Sequence, residues 1–87
     1  MEYQIRFGLS GGFGGAGEWE DSSATTERDA MNEAYEAACQ EYDSYAGLHG
    51  LRSVEQIMEE DDVDAEYAEE VYQQEREDWI EYKIRTV

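Results

Sequence analysis

The sequence predicts an α+β fold, a three-stranded and mainly antiparallel sheet with helices packed on one face. Three observations predict it. Apolar and polar residues alternate near both ends of the chain, as in half-buried strands. The stretch between them repeats its apolar residues at helical spacing. No proline occurs among the 87 residues, so only caps interrupt the helices. With 40% hydrophobic and 13% aromatic residues, the chain carries enough apolar material for one modest core, and residues 1–87 read as a single domain.

The first strand places Tyr3, Ile5, Phe7 and Leu9 on one face and Gln4, Arg6 and Gly8 on the other. The glycine-rich stretch from Ser10 to Gly17 follows, and EWEDSSA offers a second short strand around Trp19. Together they predict a hairpin with a long, mobile loop. Thr25 or Thr26 caps a helix that runs to about Ala46 and stops at Gly47. Its inward side reads Met31, Ala34, Tyr35, Ala38, Tyr42 and Tyr45, against Asp29, Glu33, Glu36, Gln40 and Asp43 outward. Ala34 and Ala38 let this helix approach the sheet closely, while the tyrosines keep their hydroxyls at a wet rim. Ser53 and Gln56 have the spacing of a capping box, opening a short helix that turns Val54, Ile57 and Met58 inward. A third helix is expected from Asp61 or Asp62 to about Asp78, burying Val63, Tyr67, Ala68, Val71 and Tyr72. In WIEYKIRTV, Ile80, Tyr82 and Ile84 share one face and Glu81, Lys83 and Arg85 the other, giving a third strand that pairs with the first in a direction the pattern leaves open.

Charge is the main functional signal. The chain has 23 Asp and Glu against 6 Lys and Arg, a net charge of -17. From Leu51 to Asp78 there are twelve acids and two bases, whereas Trp79 to Val87 carries one acid and two bases. Carboxylates three or four residues apart on a helix repel by a few tenths of a kcal/mol per pair. Two stripes have that spacing: Asp29, Glu33, Glu36 and Asp43, then Glu55 and Glu59 leading to Asp62, Glu66, Glu69, Glu70 and Glu77. Any one stripe has the appearance of an ordinary solvated helix face, and halophilic adaptation also produces acidic surfaces. The imbalance argues for more, because solvated faces intersperse Glu with Lys and this chain has a single Lys. Duplex DNA presents rows of phosphate that proteins meet with Lys and Arg, so rows of carboxylate suit the same basic groove.

Other chemistry is thinly represented. Gly12, Gly14 and Gly17 match G-x-G-x-x-G, but the segment leads into acidic, strand-like sequence instead of a helix N-terminus. Phe13, the one large apolar residue among those glycines, either folds back near Trp19 or anchors in a partner. His49 has no second His or Cys at ligand spacing. A calcium loop begun at Asp62 would put Tyr67 where glycine is needed and Gln73 where glutamate is needed. Cys39 stands alone as a small filler, in keeping with a reducing cytosol. The expectation is therefore no enzyme, no cofactor, no metal and no direct binding of nucleic acid. No apolar run approaches a membrane span, and MEYQIRF lacks the pattern of a signal peptide, which points to a cytoplasmic protein.

In size, charge and strand-helix build the chain resembles the small acidic inhibitors of phages and mobile elements: the uracil-DNA glycosylase inhibitor, antirestriction DNA mimics and some anti-CRISPR proteins. No family motif carries the resemblance. It implies a partner that handles nucleic acid, a nuclease or CRISPR effector whose basic surface meets the two carboxylate stripes and Phe13. The alternative is an acidic adaptor or subunit of a phage or bacterial assembly, without mimicry.

Overall fold

Strand alternation at the two ends of the chain produces one sheet. The computed structural model describes residues 2–10 and 14–87. Strand β1 (Tyr3–Leu9) lies at the centre, and β4 (Ile80–Thr86) pairs with it antiparallel over its full length, from Tyr3↔Thr86 to Leu9↔Ile80. That pairing direction was the one the sequence left open. On the other side of β1 run two short antiparallel pieces, β2 (Gly15–Ala16) opposite Leu9 and Gly8, and β3 (Glu20–Asp21) opposite Ile5 and Gln4. The sheet is three strands wide, with one of the three interrupted.

The interruption has a simple cause. Between Gly8↔Ala16 and Ile5↔Glu20, β1 advances three residues and its partner four, so one extra residue is accommodated as a bulge. Trp19 falls at this point, flanked by the paired residues instead of centred in a strand as the sequence suggested. Its ring lies 4.3 Å from the Arg85 guanidinium and 5.4 Å from that of Arg6, against the outer sheet face. The hairpin loop is also shorter than expected, because Gly15 and Ala16 join the sheet and the Gly17 N–H donates to the Phe7 carbonyl at 2.9 Å. Gly14 and Gly15 have φ of 88° and 80°, which explains glycine at this turn. Phe13 lies outside the described residues.

Helix α1 (Glu27–Tyr45) covers the inner face of the sheet. Thr26 caps it, accepting from the Asp29 N–H at 3.2 Å. Ala30, Ala34 and Ala38 are fully buried, so the backbone sits close to β1 and β4. Ile5 packs with Ala30 and Ala34, while Leu9, Ala38, Cys39, Tyr42, Leu51 and Ile80 form the larger cluster. Met31 corrects the expected inward set. It is 39% exposed beside Glu27, Arg28 and Asn32, because Ala30 and Ala34 take the sheet-facing side of this turn and Met31 is rotated away from it.

Helix α2 (Val54–Asp61) begins at the expected capping box: Ser53 Oγ accepts from Gln56 N–H, and Gln56 Oε1 accepts from Ser53 N–H. Helix α3 (Ala65–Trp79) starts later than the sequence suggested, capped by Asp64, because Asp61 and Asp62 finish α2. The two helices pack chiefly on each other and bury Ile57 and Ala68. Only the C-terminal half of α3 reaches α1, so the helices do not all lie on the sheet: α1 covers it, and α2 with the start of α3 extends an elongated molecule of 48 × 25 × 16 Å. Tyr67 is a second correction. It is 53% exposed, because Ala68 faces α2 and no further layer covers the adjoining side of α3.

Asp62 ends α2 in the left-handed region, with φ of 52°. A non-glycine residue there costs about 1 kcal/mol. Asp62→Gly should therefore raise unfolding free energy by about 0.5–1 kcal/mol in urea denaturation. A destabilised variant would show that the Asp62 side chain contributes more than its backbone costs.

Candidate acidic binding surface

Helical spacing decides which carboxylates reach solvent together. On α2, Glu55 and Glu59 lie opposite buried Ile57, and on α3, Glu66 and Glu70 lie opposite buried Ala68, with Glu69 alongside. All five are exposed, as is Asp62 at the turn between the helices. Among the described residues no cation comes within 4.0 Å of any of these six. They form the candidate surface, an acidic hairpin at the end of the molecule formed by α2 and the first turns of α3.

The other expected site residues behave differently. Asp29 and Glu36 are exposed on α1, away from this hairpin. Glu33 is half-buried and accepts a hydrogen bond from the Ser22 hydroxyl, tying the chain before α1 to the helix. Asp43 accepts from the Tyr72 hydroxyl at 2.6 Å and from Arg76 at 3.3 Å. Glu77 accepts from the Tyr35 hydroxyl. These last two carboxylates hold α3 to α1 from the solvent-exposed rim of the seam between the two helices. The two expected acidic stripes are thus redistributed among a solvent-facing hairpin, the outer side of α1 and this seam.

The hairpin is held by one cation. Arg52, in the loop before α2, donates to both carboxylate oxygens of Glu75 and to Asp61 at 3.1 Å, with Glu60 at 3.8 Å. These bonds hold its guanidinium well above the usual arginine range, with the Glu75 hydrogen bond the largest cause and Asp61 next. Its placement also answers a problem of helix polarity. The last turn of α2 contains acids and no base, an unfavourable arrangement at the negative end of the helix dipole, and Arg52 brings positive charge there from outside the helix. Sequence reading missed this hub because its members are far apart in the chain.

Tyr67 was also missed as a surface residue. Its exposed ring adjoins Asp64, Glu66 and Glu70 around a shallow depression of about 200 Å³. An aromatic face beside carboxylates is suited to a guanidinium or ammonium group, through cation–π attraction and charge-assisted hydrogen bonds. Among the described residues no group of three or more His, Cys, Asp or Glu is placed to hold a metal ion, and no helix is long and apolar enough to cross a membrane. Cys39 is buried and unpaired by any disulfide, and burial pushes its thiol pKa up.

No protein-family model, curated protein or solved structure matches the chain.

Two outcomes test the polar framework behind this surface. Arg52→Met should lower unfolding free energy by about 1 kcal/mol, since it leaves partly exposed Glu75 and Asp61 without their shared cation; an unchanged urea midpoint would remove Arg52 from that role. The seam tyrosines define a pH window. The hydrogen bond to Glu77, then burial, pushes the Tyr35 pKa up to about 12, and burial, then the bond to Asp43, raises Tyr72. The folded state therefore holds these phenolic protons more tightly than the unfolded chain, whose tyrosines titrate near about 10. This stabilisation is complete below about pH 10 and is lost as pH rises towards about 12. In thermal melts across that window, Tyr35→Phe/Tyr72→Phe should lose less stability than wild type; an equally steep decline would assign the alkaline transition elsewhere.

Proposed function

We propose that the protein is an acidic inhibitor that binds and blocks the basic nucleic-acid-binding surface of a nuclease or CRISPR effector. It acts as a DNA mimic in the cytoplasm of a bacterial host cell. The observation that carries this reading is the set Glu55, Glu59, Asp62, Glu66, Glu69 and Glu70, exposed together on the hairpin with no cation within 4.0 Å among the described residues. Unneutralised carboxylates at one end of an elongated body retain their attraction for a positive groove. The protein acts by occupancy: long-range attraction speeds encounter, and short-range contacts slow departure. It needs no cofactor and performs no catalysis. Tyr67 supplies an aromatic contact in the acidic field, where an arginine that would otherwise hold phosphate can stack and pair.

Competition tests the proposal. Glu66→Lys/Glu69→Lys/Glu70→Lys should abolish inhibition of a susceptible nuclease and displacement of its DNA, because a basic groove would then meet like charge. Glu2→Lys/Glu18→Lys/Glu20→Lys makes the same change in net charge towards the sheet and should retain most inhibition. Tyr67→Ala should weaken binding by about tenfold while leaving the melting temperature nearly unchanged. Equal effects of the two triple variants would make total charge, not this surface, the determinant. A complex that binds DNA normally would overturn mimicry in favour of an acidic adaptor.

A further inference from the structure

Strand β4 has a second edge. Its partner β1 carries β2 and β3 on the far side, so β4 is outermost in the sheet. The groups that its open edge presents follow from bonds at either end of the ladder. Ser10 N–H donates to Trp79 C=O at 2.8 Å, and Val87 N–H donates to Glu2 C=O at 3.0 Å. In an antiparallel ladder, bonded pairs recur at every second residue, here Gly8 with Glu81, Arg6 with Lys83 and Gln4 with Arg85. The N–H and C=O groups of Tyr82, Ile84 and Thr86 therefore point away from β1. The Ile80 N–H is taken by the Arg76 carbonyl at the end of α3, which leaves its C=O at this edge.

We propose that β4 pairs antiparallel with β4 of a second copy, joining two sheets across a two-fold axis at Tyr82. An open edge accepts another strand through its backbone groups, and charge selects the occupant. Trp79–Val87 carries two bases and one acid, whereas the chain carries -17. Two copies thus meet here with less local repulsion than at the helices. The register follows from side-chain pairing across the new junction. Centred on Tyr82, it sets Glu81 opposite Lys83 twice and Ile84 opposite Ile80 twice, with the two Tyr82 residues facing each other. A register centred on Lys83 opposes two lysines, one centred on Ile84 opposes Lys83 to Arg85, and one centred on Arg85 opposes two arginines. Among the registers that pair at least five residues of each β4, those centred on Tyr82, Lys83 and Ile84, only the Tyr82 register avoids like-charge pairs. Tyr82 and Ile84 are half-buried on the face that α1 covers, while Glu81 and Lys83 are exposed on the other.

Sedimentation equilibrium of the full chain across concentration and salt tests this pairing. A reversible dimer is expected, and it should tighten with salt, since screening relieves repulsion between two strongly acidic bodies. Lys83→Glu should weaken it by about tenfold, because each Glu81 then opposes a carboxylate. The double variant Glu81→Lys/Lys83→Glu recreates both pairs with signs exchanged and should restore the wild-type constant. Amide exchange supplies a second readout: the Tyr82 and Ile84 N–H groups should become slower as the dimer forms, while those of Lys83 and Arg85 stay protected throughout. A monomer at every concentration, failure of the charge exchange to rescue, or edge amides indifferent to concentration would each overturn the proposal.

Discussion

Pairing of β1 with β4 is the constraint on which the rest of the structure depends. Seven successive residue pairs join the two ends of the chain, and α1 packs on the surface they create. Helix α3 passes into β4 without an intervening loop, since Trp79 ends the helix and Ile80 begins the strand. The strand register therefore also sets where α3 lies along α1, and so brings Tyr72, Arg76 and Glu77 opposite Asp43 and Tyr35. The acidic hairpin inherits its position from a ladder at the other side of the molecule.

A second principle is the economy with which positive charge is deployed. Arg6 and Arg85 flank Trp19 on the outer sheet face, Arg76 stands in the α1–α3 seam, and Arg52 gathers three carboxylates at the base of the hairpin. These four of the six cations stand where elements are joined, and the carboxylates of the α2–α3 hairpin away from those junctions are left to solvent. Such an arrangement separates the role of acids in the fold from the role proposed for them in binding. Asp43, Glu75 and Glu77 have partners within the chain, whereas Glu55, Glu59, Glu66, Glu69 and Glu70 face outward with no cation at ion-pair distance among the described residues.

Much of this architecture was legible in local pattern. Alternation identified β1 and β4, the Thr25–Thr26 pair and the Ser53–Gln56 box marked two helix starts, and the alanines of α1 marked its close approach to the sheet. What remained hidden depended on tertiary placement. Three acids, Asp61, Asp62 and Asp64, are all competent caps, and only the length of α2 selects Asp64 for α3. Periodicity gives the direction of Met31 and Tyr67 but not whether another layer reaches them. The bulge at Trp19 adds one residue without any composition signal, and the bonds of Arg52 to Glu75 span 23 positions. The acidic character of the site was visible; its division into solvent-facing and fold-bearing carboxylates was not.

The direct passage from α3 into β4 has a consequence for folding. Helices α1, α2 and α3 are local structures, so each can begin to form while β1 still lacks its long partner. Local helices form far faster than distant strands can pair. Until β1 and β4 meet, α1 has no completed sheet to pack on. Closing this fold therefore means joining two segments about seventy residues apart, from Leu9 with Ile80 outward to Tyr3 with Thr86, and truncation at either end would remove half of the ladder on which α1 rests.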